Sequence, residues 1–155
     1  MLLRKYFETN DGSLPEVEIR FSLPDESQAA FELFFSRGAR NVTRYGGFLW
    51  SIDTQTEMPF IGQSAAALVI SGIVEPFHVV LADINSSICA IPDIGLFYEP
   101  LNLTLDYRMG SDWRESQVHS FLNLLKDLSL LGGTISVPWW GEQGQQDFAS
   151  ALQIK

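Results

Sequence analysis

A chain of 155 residues with 46% apolar and 19% charged side chains can bury a substantial core, which excludes a disordered polar segment. Its formal charge of −9 opposes phosphate backbones and anionic headgroups, so neither nucleic acid nor membrane is expected as a direct partner, and a basic protein is. The single cysteine, Cys89, rules out an intramolecular disulfide and any multi-cysteine metal site.

Residues 2–9 and 14–23 both read as extended, with "NDGS" between them, so a β-hairpin is expected at the start. Val17, Ile19 and Phe21 alternate with Glu16, Glu18, Arg20 and Ser22, one face for the core and one for solvent. "LPDESQAAFELFFSRG" changes period. Pro24 suits a first helical turn, Ala30, Phe31, Phe34 and Phe35 make an apolar stripe, and Gly38 offers a stop, which predicts a helix over 25–37. A second hairpin is expected from strands near 40–45 and 48–54 around Gly46–Gly47. "GQSAAALVISGIV" begins with helix formers and ends β-branched. A short buried helix over 63–72 is the reading taken, with a strand as its alternative.

"FHVVLADI" at 77–84 is a buried strand, and "IGLFYEP" and "LNLTLDYRM" follow as two more. In the last, Leu101, Leu103, Leu105 and Tyr107 alternate with Asn102, Thr104, Asp106 and Arg108. Gly110 permits a turn and Ser111 is placed to cap a helix from Asp112. That helix carries Val118, Phe121, Leu122, Leu125 and Leu128 on one face and Glu115, His119 and Asn123 on the other. "TISVPWW" reads as a closing strand and "EQGQQDFASALQI" as a short last helix. The order is ββα ββ(α)β ββα βα, which predicts a single α+β domain over 1–155 with a mainly antiparallel sheet of hairpins and two to four packed helices. The N-terminus lacks a long apolar segment, and the longest apolar run, 65–74, is too short to span a bilayer, so a cytoplasmic protein is expected.

Catalytic chemistry finds little support. Glu115 and His119 stand one helical turn apart, but no serine or cysteine in a nucleophile motif accompanies them. His78, ahead of "VVLADI", reads as a strand-edge histidine. Two isolated histidines give no metal-binding spacing, and phosphate-binding glycine motifs are missing, so no catalytic residue, metal or cofactor is expected. Trp139 and Trp140 are adjacent, so on an extended chain one indole enters the core and the other reaches the surface. Exposed aromatics anchor interfaces, and Asp106, Asp112 and Glu115 gather at the junction of strand and helix, where they suit a partner's lysines and arginines.

"DGSLPEVEI" at 11–19 and "LDYRMGSDWRESQV" at 105–118, in a small acidic cysteine-poor chain, resemble stretches of the immunity proteins of bacterial toxin systems. They cover a minor part of the chain. The resemblance implies a cytoplasmic protein that neutralises a cognate basic toxin by covering its active site; it carries over no site residues, and acidic steering with an aromatic anchor makes Asp106, Asp112, Glu115 and Trp140 the expected contacts. A small-molecule binder or enzyme with an aromatic-lined pocket is the alternative, and a self-associating accessory protein is a third.

Overall fold

The computed structural model describes residues 2–153. In chain order its elements are β1 (Glu16–Arg20), α1 (Pro24–Ser36), β2 (Arg40–Asn41), β3 (Phe48–Ser51), β4 (Thr56–Pro59), α2 (Ala65–Ile70), β5 (Phe77–Ala82), β6 (Ile94–Glu99), β7 (Asn102–Tyr107), α3 (Glu115–Leu130), β8 (Thr134–Ser136) and α4 (Gly141–Leu152). The architecture is α+β. Six strands form one sheet in the order β2-β5-β6-β7-β1-β8, every pair antiparallel, and β3-β4 form a separate two-stranded sheet.

Strand alternation decides which face of the large sheet meets the core. Val17, Ile19, Leu103, Leu105, Tyr107, Ile94, Leu96, Tyr98, Val79 and Leu81 are buried and in register across four strands. Helices pack against this face. Phe31 of α1 meets Phe77 and Tyr98, and Phe121 of α3 meets Tyr107. Ser27, fully buried in α1, is satisfied by Tyr98 Oη at 2.9 Å and by the Pro100 carbonyl at 2.6 Å. Helix α1 begins at Pro24 as its proline requires, and Glu26 turns back to accept from the backbone N–H groups of Ser22 and Leu23.

A second aromatic cluster ties the termini to the end of the sheet. Phe7 stacks on Tyr107 at 4.7 Å and touches Trp113 and Phe148. Tyr107 Oη donates to the Tyr6 carbonyl, and Tyr6 Oη donates to Asp147 of α4 at 2.6 Å. That bond is the main reason the Tyr6 hydroxyl is pushed up to about 12 and the Asp147 carboxyl lies below its usual range.

Five local expectations differ. Residues 2–6 form a 3-10 helix instead of a strand, because Leu3, Tyr6 and Phe7 present one helical side to the core. The Asp-Gly turn does form, with Asp11 accepting from Ser13 N–H and Oγ, but β1 pairs with β7 and β8, far away in sequence. Gly46–Gly47 does not close a hairpin. Tyr45, Gly46 and Gly47 all have positive φ and swing the chain away from β2, which pairs with β5, while β3 turns back on the unforeseen β4 through Gln55 at φ 54°. Helix α3 starts at Glu115, after a loop in which Trp113 dives into the core and its Nε1–H donates to the Arg108 carbonyl at 2.9 Å. The closing strand stops at Ser136, and Pro138–Trp140 make a 3-10 turn into α4. The helix over 63–72 is present as α2.

Candidate functional site

The other face of the large sheet displays the alternate residues of four strands: Glu16, Glu18 and Arg20 on β1, Thr104 and Asp106 on β7, Phe97 and Glu99 on β6, His78 and Val80 on β5, with Phe97 and Val80 half-buried apolar side chains among the polar ones. At its centre lies a pair the sequence reading passed over. His78 Nε2 is 2.7 Å from an Asp106 carboxylate oxygen. The two residues sit on β5 and β7, with β6 between them, so they meet diagonally above Gly95. A Cβ at Gly95 would fall on the Asp106 carboxylate, which occupies the notch that glycine leaves. An isolated glycine in a buried strand signals a close approach, and this was the one trace of the pair in the sequence.

The hydrogen bond that His78 donates to Asp106 raises the His78 pKa; burial opposes that rise, and the charges of Asp106 and Glu16 add to it. The imidazole is half exposed, at 45%, beside a cavity of about 260 Å³ lined in part by Leu14, Val80, Asp93 and Arg108. A second cavity of about 420 Å³ adjoins it through Asp93 and Arg108 and reaches Asp112 and Gln117. A carboxylate-oriented imidazole can move a proton, yet among the described residues no serine, threonine or cysteine lines either cavity. Among the described residues no group of three or more His, Cys, Asp or Glu side chains is placed to hold a metal.

The expected contact residues part company here. Asp106 and Asp112 line adjoining cavities on the open side. Glu115 is exposed on the first turn of α3, 3.8 Å from His119 Nε2. Trp140 lies on the core side of the sheet, half-buried, its ring 5.0 Å from Tyr6 and its Nε1–H donating to Tyr107 Oη at 3.2 Å. Its neighbour Trp139 is the exposed indole, at 48%. Cys89 is half-buried, its sulfur 3.3 Å from Ser120 Oγ.

A different surface collects the exposed aromatics. Among the described aromatic side chains four are exposed, and three of them, Tyr45, Phe48 and Trp50, fall within six residues. Phe48 and Trp50 share the outer face of the β3–β4 hairpin, opposite Pro59 and Glu57, while Leu49 between them is buried. β3 is fastened to the body by Ile52 N–H to the Ile73 carbonyl and by Glu75 N–H to the Trp50 carbonyl, both 3.0 Å. Among the described residues β4 has no further strand on its outer side. Tyr45, 80% exposed, is held at φ 60° with the Arg44 guanidinium 5.0 Å from its ring.

No helix among the described residues is long and apolar enough to cross a membrane. No protein-family model, curated protein or solved structure matches the chain.

Proposed function

We propose that the protein is a protein-binding module for a basic partner, and that it neutralises a cognate bacterial toxin by covering that toxin's active site. The observation that carries this reading is the concentration of exposed aromatics on Tyr45, Phe48 and Trp50. Large apolar rings left in water cost solubility, and interface hot spots are enriched in such residues. Glu57, cross-strand from Trp50, and Asp53 at the hairpin turn place negative charge beside the rings. The net charge of −9 favours a basic partner and opposes a second copy of the same chain. In this reading the hairpin is the anchor, and Asp106, Asp112 and Glu115 steer the encounter. Trp140 holds the turn that presents Trp139.

The test starts with the full chain immobilised in extract of its source organism. A retained basic protein is then purified and titrated against wild type and a Phe48→Ala/Trp50→Ala double variant. The expected result is at least about a tenfold loss of affinity in the variant, in line with the cost of truncating hot-spot aromatics. The captured protein should also arrest growth when produced alone and fail to do so beside this chain. Equal affinity of variant and wild type removes the hairpin from the interface. A captured protein that harms no cell removes the neutralising role.

A further inference from the structure

Among the described residues no helix covers the open sheet face, whose side chains are exposed or half-buried, and its centre is an ion pair set in a notch. Around Asp106 stand Glu16 from β1, Asp93 ahead of β6 and Arg108 just after β7, with Glu18, Arg20 and Glu99 further along the same face. Of these, Arg108 is exposed and makes no side-chain ion pair among the described residues, and His78 is the basic side chain in contact with Asp106. The carboxylates outnumber the cations, and the half-exposed imidazole is the one group there whose charge changes near neutral pH.

We propose that His78 and Asp106 form a proton-operated gate on a surface that docks a basic segment of the partner: the imidazolium occupies Asp106, and its deprotonation frees the carboxylate for a partner arginine or lysine. The inference rests on the partner being basic, as proposed above, and adds where on the molecule a cationic side chain is received. Gly95 sets the geometry. With the carboxylate sunk into the glycine notch, one oxygen faces His78, and the adjoining cavity of about 260 Å³ gives a guanidinium or ammonium room to approach the same group. A neutral imidazole competes weakly for Asp106, and an imidazolium competes with its full charge. Displacing one proton per bound cation lets affinity change by at most about tenfold per pH unit.

The gate can be read with an amidated tetra-arginine peptide as the probe and the full chain observed by NMR. Shift changes at Gly95, Thr104 and Asp106 are expected, with affinity at least about threefold weaker at about pH 6 than at about pH 8. His78→Gln keeps a neutral hydrogen-bond donor beside Asp106, and should bind with little pH dependence across that range. Asp106→Asn should bind weakly at both ends. Shifts confined to the hairpin or to Asp112 and Glu115, or a pH dependence that survives in His78→Gln, overturns the gate. These failures differ from failure of the protein-binding reading: loss of the gate leaves the Phe48 and Trp50 effect on the captured partner in place. A captured partner that ignores the hairpin variant would defeat the broader proposal while the peptide could still report the gate.

Discussion

Trp113 and Trp50 both lie outside helices, yet Trp113 is 1% exposed and Trp50 is 37% exposed. Trp113 is ringed by Phe7, Tyr107 and Phe121 at centroid distances of 4.8, 5.4 and 5.5 Å, and its indole N–H is satisfied by a backbone carbonyl. Trp50 stands on the outside of a hairpin whose buried side is Leu49. The first cluster joins the N-terminal turn, the end of β7, α3 and α4 into one core, so its aromatic area contributes to folding. The hairpin rings leave much of their area in water. They contribute less to folding than the Trp113 cluster, and the proposed function rests on that contrast.

The contrast can be broken most directly by truncating both indoles. Trp113→Ala is expected to cost about 3–5 kcal/mol, because the cavity lies among rings that cannot close over it. Trp50→Ala is expected to cost less, about 1–2 kcal/mol, because the indole is partly covered but not enclosed. Urea unfolding of the two variants measures both. A Trp50→Ala loss as large as that of Trp113→Ala would make the hairpin part of the core and leave its aromatics no claim to a partner.

The two faces of the sheet offer a second comparison. On the core face a small increase in volume disturbs packed apolar side chains; on the open face Gly95→Ala would expel a carboxylate into solvent. The expected cost is about 1–3 kcal/mol, as for other overpacking changes. Its diagnostic is separate from stability. Once Asp106 leaves, the His78 midpoint should fall back toward 6.5, followed by NMR of the imidazole C–H signals. A destabilised variant with an unmoved midpoint would show that Asp106 keeps its place and another group has given way.

What was legible in the sequence followed from local periodicity. The alternation of Val17, Ile19 and of Leu103, Leu105, Tyr107, the apolar stripe of Phe31 and Phe34, and the buried side of α3 all stand as read. The hairpins failed where chain reversal and strand pairing are separate events. "NDGS" and "YGG" do turn the chain, but the partners of β1 and β2 are chosen by burial across the sheet and not by the nearest extended segment. Trp113 displaced the start of α3 because filling the core outweighs one more helical turn. The site divided in the same way. Asp106 was picked out as a polar residue on an alternating strand, but its partner lies 28 residues away and across an intervening strand, a relation that no local pattern encodes.

A polar latch tests the terminal cluster on a finer scale. Tyr6→Phe removes the bond to Asp147 and leaves that carboxylate to Lys5 and Gln143, at an expected cost of about 0.5–1.5 kcal/mol. Its pH signature has a definite sign. The Asp147 carboxyl is held below its ordinary value, first by Tyr6 and then by Gln143, so its contribution is present above about pH 4 and lost as pH falls through the lowered value. Tyr6→Phe should therefore reduce the acid-side slope of stability in wild type.

The His78 pair should act nearer neutrality and more weakly, since the imidazole is half exposed and screened by solvent. Its pKa is raised in the folded state, chiefly by the Asp106 bond, so its stabilisation is complete below about 6.5 and declines as pH rises through the raised value. Asp106→Asn should flatten that decline while leaving the acid-side slope from Asp147 intact. Stability curves of the two variants against pH would then separate, Tyr6→Phe differing from wild type in the acid limb and Asp106→Asn near neutrality. If Asp106→Asn altered only the acid limb, the carboxylate would be acting through a partner other than His78, and the open-face pair would lose its role in the pH response.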